Sequence, residues 1–207
     1  MKEENIKKAQ EAGRKAVEGR RKGFHCSESV FTAINDVLKI TDPSLVRMVT
    51  GFHGGGGTHR KVPGINLTEA LEAVSSAKDQ RSGEELPFTN VGHLCGALAS
   101  GIACISLLYG RRSPTDDLTC VDELCFELHR RFSEEFGEKE CRPLRNKWIP
   151  LWPDHTCETV YRRAAEMALE LIFEAHRLFQ NALRKFIIKL YRPMNTSSPA
   201  LLQAISA

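Results

Sequence analysis

Between Leu94 and Tyr109 the chain runs sixteen residues without a charge, and six of them (Gly96, Ala97, Ala99, Ser100, Gly101 and Ala103) are small. A membrane span needs about 20 predominantly apolar residues, so this one falls short in an otherwise polar chain. The segment instead predicts a helix over 93–109, buried on all sides and closed by Gly110. Cys95 stands in its first turn. The rest of the chain must supply the neighbours that such a helix requires.

Those neighbours read as helices too. Residues 3–21 carry a thin apolar stripe of Ile6, Ala9, Ala12, Ala16 and Val17, with Gly23 as the stop. Residues 26–40 place Cys26, Val30, Ile34, Val37 and Leu38 at helical spacing. The run TDPS at 41–44 reads as a cap with proline in the first turn of a short helix to about Thr50. Asn66 and Glu69 are spaced as a capping box for a helix over 66–81. Pro114 opens a helix with Leu118, Val121, Cys125, Leu128, Phe132 and Phe136 on one face and Gly137 at its end. Residues 142–154, with three prolines, predict an irregular connection. A long last helix runs from about 156 to 191, capped by Asp154 or Thr156, and its apolar positions include Tyr161, Ala164, Ala168, Ile172, Ala175, Phe179, Leu183 and Phe186. A loose tail, 193–207, follows. No segment reads as a strand and none repeats. The expected fold class is all-α: a single helical domain around a buried central helix, with a long C-terminal helix.

The sequence offers 207 residues, 29 Lys and Arg against 26 Asp and Glu, a formal charge of +3. That is too mild to argue for nucleic acid. The distribution is uneven: no carboxylate follows Glu174, so Arg177, Arg184, Lys185, Lys189 and Arg192 leave the last residues at +5 and residues 1–174 at −2. The N-terminus is charged throughout, with no apolar run to suggest secretion. The seven cysteines are Cys26, Cys95, Cys104, Cys120, Cys125, Cys141 and Cys157. An odd count in such a chain predicts free thiols in a reducing compartment, and the expected location is cytoplasmic.

Cys26, Cys95 and Cys157 each stand at the predicted start of a helix, where the partial positive charge of the helix end favours thiolate over thiol. Cys141 falls in a connection just past a helix end. Thiolate is the form that ligates metals, attacks disulfides and holds iron–sulfur clusters. Cys104 and Cys125 read instead as small core hydrophobes, and Cys120 as incidental. The intervals between the other four, 69, 46 and 16 residues, lack the close pairs that make zinc or ferredoxin sites legible in a sequence.

Five segments stand in order: FHCSESVFTAINDVL, GFHGGGG, CGALASGIACISLLYGRR, FSEEFGEKECRPL and CETVYRRAAEMALELI. Together they resemble the redox-active family labelled C-GCAxxG-C-C, from about Phe24 to Ile172 with a gap. The resemblance implies a redox or metal role for Cys26, Cys95, Cys141 and Cys157, with an iron–sulfur cluster as the cofactor. Zinc, or no metal and a dithiol pair, are the alternatives. No C-x-x-C-H is present, so covalent c-type haem is not expected. Ser100 stands where the family has a second glycine, with Gly101 one residue later. Residues 60–92 intervene where the family passes quickly from the glycine loop to the helix.

His53 and His59 flank the tetraglycine Gly54, Gly55, Gly56 and Gly57, while His25 and His93 neighbour Cys26 and Cys95. His25, His53 and His93 are candidates to ligate or to orient a ligand; His59 reads as a loop residue. The tetraglycine is neither a Walker loop nor a dinucleotide fingerprint. It predicts a loop whose backbone amides approach the sulfurs, and Gly96 leaves room beside Cys95. The basic amphipathic segment 176–192 predicts a homodimer through the C-terminal helix, with contact at an anionic membrane surface as the less favoured use. The domain division expected is 1–175, cysteine-bearing with an insert at about 60–92, and 176–207, helix and tail. Two function classes remain: a redox or electron-transfer protein, possible oxidoreductase, and a helical assembly protein with structural cysteines. The redox partner is not readable.

Overall fold

The computed structural model describes residues 2–60, 88–148 and 156–191. Eight helical segments follow in order: α1 (Glu3–Arg21), α2 (Cys26–Leu38), α3 (Arg47–Thr50), α4 (His53–Gly56), α5 (Gly96–Tyr109), α6 (Thr119–Phe136), α7 (Cys141–Pro143) and α8 (Glu158–Tyr191). A tight turn, Pro43–Val46, leads into α3, and a wide helical turn, Leu144–Trp148, continues α7. The expected helix over 66–81, most of the insert and the tail 193–207 lie outside the described residues.

The architecture is helical, as the periodicity predicts, and α5 is its centre. It packs on α2, α6 and α8, while α1 lies across α2 and α8. Gly101 shows why small residues are needed. A Cβ there would come within 3.0 Å of the Leu128 side chain and 3.3 Å of Ala168. The core is closed by Phe31, Ile34, Leu98, Ile105, Leu128, Phe132 and Leu169, all buried. Among the described residues no helix is long and apolar enough to cross a membrane.

Four expectations are corrected. First, α5 is not buried on all sides: Leu107 and Leu108 are exposed, and Ala99, Ile102 and Ala103 line an open groove. Second, α6 starts at Thr119, not at Pro114. The Asp116 carboxylate accepts the backbone N–H groups of Arg112 and Ser113, and that of Asp117 accepts the backbone N–H of Thr119, holding 112–119 in turns. Third, two short strands exist. Thr58–Arg60 (β1) pairs antiparallel with Phe88–Asn90 (β2), with His59 opposite Thr89. Three residues are too few for alternation to register in a sequence. Fourth, residues 141–148 are helical and not irregular.

Candidate thiol site

All four singled-out cysteines sit at helix starts. Cys26 is the first residue of α2, and Cys95 immediately precedes α5, its carbonyl accepting from the Ala99 N–H at 2.9 Å. Cys157 precedes α8, its carbonyl accepting from Tyr161 at 3.1 Å. Cys141 opens α7, a short turn that the sequence reading took for a connection.

What brings them together is a small backbone lattice. Residues 91–95 lie between the glycine turn and residues 139–142. On one side Val91, Gly92 and His93 donate to the carbonyls of Gly57, Gly54 and Gly55 at 3.0, 2.8 and 3.0 Å. On the other, Cys95 donates to Lys139 at 2.8 Å, while Cys141 and Arg142 donate to His93 and Gly92 at 2.7 and 3.1 Å. Residues 46 apart in sequence thus lie side by side.

The glycines make this close approach possible. Gly54 to Gly57 all have positive φ, and the first two, at 65° and 76°, turn left-handed. A Cβ on Gly55 would stand 2.5 Å from the His93 nitrogen. The Gly54 backbone amide works against the rise that burial imposes on the Cys26 thiol. Gly96 packs so closely that a Cβ would meet the Phe52 carbonyl oxygen at 2.6 Å and the Cys26 Sγ at 3.1 Å.

The result is one cavity of about 20 Å³ lined by Cys26, Cys95, Cys141 and Cys157. Its remaining wall is Ala97, Leu144, Arg145, Val160 and Tyr161. Arg145 and Tyr161 were missed in the sequence. Each lies four residues beyond a cysteine, at Cys141 and Cys157, so helical spacing puts each on its cysteine's face. Cys104 is buried in the core, Cys120 and Cys125 are half-buried, and none of the three lines the cavity.

The expected stabilisation of thiolate is outweighed. Burial pushes all four thiols up. Cys157 reaches about 12, through burial first and then the neighbouring Cys26 and Cys141. Cys95 is raised too, again through burial and then Cys26, although the Leu98 and Ala97 N–H groups at the helix start oppose the rise. Arg145 works against the rise at Cys141 and Cys157, and Arg20 at Cys26 and Cys157. The helix-end amides are in place, but loss of water costs a buried anion more than they return.

The histidines are less central. The rings of His25 and His53 stack at 4.3 Å, nearly parallel, and His53 Nδ1 lies 2.6 Å from the Thr50 carbonyl oxygen. Burial and the neighbouring His53 both lower the His25 pKa. His93 lines a separate apolar groove of about 510 Å³ beside Phe52 and Leu94. None of the three lines the thiol cavity.

Four sulfur donors around one space suit a metal centre in number and kind. The space admits a single water-sized guest as it stands, and a cluster only as the wall yields. Among the described residues no three His, Cys, Asp or Glu side chains are closed tightly enough to clasp one ion.

No curated protein and no solved structure matches the chain. A family model described as "Putative redox-active protein (C_GCAxxG_C_C)" matches residues 67–171, just over half of the chain. That match contains Cys95, Cys141 and Cys157 and leaves out Cys26, which the fold returns to the other three. On this match the chain belongs to the C_GCAxxG_C_C redox-active family.

Proposed function

We propose that the protein is an electron-transfer component whose Cys26, Cys95, Cys141 and Cys157 hold an iron–sulfur cluster. The observation that carries the reading is that these four residues, drawn from four helix starts, line one cavity. When bound, the cluster supplies reversible one-electron transfer. The chain's own part is to exclude water with Ala97, Leu144 and Val160, and to aim the Gly54 and Leu98 amides at sulfur. Arg145 and Arg20 offset part of the negative charge that four thiolates carry.

Burial favours this over thiol–disulfide exchange. Exchange needs direct attack by an accessible sulfur, and Cys95 and Cys141 are only 6% and 9% exposed. Electron transfer needs no such contact. The small cavity supports a second reading, structural zinc, which Cys26, Cys95, Cys141 and Cys157 would hold as thiolates.

Anaerobic purification with iron, sulfide and zinc analysis separates the two. Brown protein with visible absorption that dithionite bleaches is the expected result. Colourless protein with stoichiometric zinc would establish the second reading.

A further inference from the structure

Two of the four thiols, Cys95 and Cys141, are buried, whereas Cys26 and Cys157 are half-buried. Solvent comes nearest the site along the Cys26 and Cys157 edge. Arg145 marks the same edge, since it lines the cavity and is also exposed. Electron transfer slows steeply as donor and acceptor separate. A redox partner of this site therefore docks where the wall is thinnest.

The charge along that edge has one sign. Burial raises the thiols, and among the described residues the charged side chains that oppose it are all arginines. They are Arg20 at Cys26 and Cys157, Arg145 at Cys141 and Cys157, and Arg142 at Cys141. All three are exposed. Arg20 donates to the Phe24 carbonyl at 3.1 Å, which turns it across the end of α1 towards Cys26. Arg142 donates to the Val91 carbonyl at 2.8 Å. Glu158, the residue after Cys157, is met by Arg21 at 3.8 Å. Charge balance inside the cavity accounts for Arg145, which lines it. Arg20 and Arg142 stand outside the cavity wall, where they set the field met from solvent. This basic face belongs to a body whose residues 1–174 sum to −2.

We propose that this face docks an acidic one-electron carrier protein, whose carboxylates meet Arg20, Arg142 and Arg145 over the Cys26 and Cys157 edge. One electron crosses between the two proteins, one centre being oxidised as the other is reduced, and no atom or proton is exchanged. Charge complementarity orients the carrier and speeds its encounter. The inference rests on the electron-transfer reading above. A second set of exposed cations, Arg177, Arg184 and Lys185, lies on α8. Helical rise sets it about 30 Å or more beyond Cys157, too far to place a carrier's centre beside the thiols.

The test uses paired probes of different charge, so that a ratio of rates reads the surface and cancels changes in the thiols themselves. For the protein as purified, reduced with dithionite, the pair is ferricyanide, a trianion, and tris(phenanthroline)cobalt(III), a trication. For metal-free protein with Cys120→Ser and Cys125→Ser, the pair is dianionic 5,5′-dithiobis(2-nitrobenzoate) and neutral 4,4′-dithiodipyridine, with circular dichroism to confirm the helical fold. At about 0.1 M salt, where charges are screened beyond about 10 Å, Arg20→Gln with Arg145→Gln should lower both ratios at least about threefold. Lys7→Gln with Lys8→Gln removes the same charge about 20 Å back along α1 and should leave them unchanged. Salt at about 1 M should abolish the wild-type preference for the anion. Poly-L-glutamate, standing in for the carrier, should slow both reagents of each pair, and poly-L-lysine should not. Ratios equal in wild type and the arginine variant, or poly-L-glutamate that binds without slowing either reagent, would overturn this inference alone. Colourless protein with nothing for dithionite to bleach would overturn the electron-transfer reading and this inference with it.

Discussion

At the scale of single residues, two forces compete at each cysteine, and their order decides its chemistry. Helix-start amides favour the thiolate, and burial favours the thiol by more. Metal binding reverses this order by supplying positive charge at the sulfur. Metal-free protein should therefore respond to alkali. Cys104 and Cys157 are raised from the ordinary 9.0 to about 12. Their burial supports the fold fully below about pH 9, where folded and unfolded chains both keep the proton. That support is lost as pH rises from about 9 towards about 12. The denaturation midpoint of the apoprotein should fall across this window, and Cys104→Ala should shallow the fall; a flat profile would contradict the assignment. The same variant should cost about 1 kcal/mol of stability through lost packing and leave visible absorption untouched. Cys120→Ser should be nearly silent in both measurements. Gly96→Ala should act on the site itself, because the added methyl meets the Cys26 sulfur and the Phe52 carbonyl. Its absorption per chain should drop while its circular dichroism stays helical.

At the scale of elements, the helices were legible and their junctions were not. Repeating apolar positions place α1, α2, the core of α5 and the body of α8 within a few residues, because burial on one face imposes a period that a sequence must carry. The late start of α6 was hidden. A helix opened by Pro114 would hold Asp116 and Asp117 in its first turn, yet their side chains capture amides before the helix begins. The lattice of 54–57, 91–95 and 139–142 was hidden more deeply, since backbone bonds between distant segments leave no side-chain signature. Only the four glycines hinted at it. That lattice is where an element can be tested. Gly55 has φ +76° against the His93 backbone, so Gly55→Ala should cost about 1–3 kcal/mol from strain alone. It should also loosen Cys95 and Cys141 together, since both are registered through residues 91–95. Urea unfolding followed by fluorescence would read the first effect, and thiol labelling in the native state the second. Unchanged labelling of Cys141 would mean that the lattice does not hold the site.

At the scale of the whole molecule, the fold is a device for gathering thiols that the sequence keeps 69, 46 and 16 residues apart. Their grouping was legible through the resemblance and the helix-start positions, while Arg145 and Tyr161 became visible only once the cavity was closed. The central claim is that the four act as one site. The most direct measurement is the visible spectrum of anaerobically purified protein, with iron and sulfide content, for wild type and for Cys26→Ser, Cys95→Ser, Cys141→Ser and Cys157→Ser. The account predicts absorption that dithionite bleaches in wild type and its loss or marked change in each of the four, Cys26→Ser included although the family match omits that residue. Wild-type absorption and iron retained in three of the four variants would contradict it.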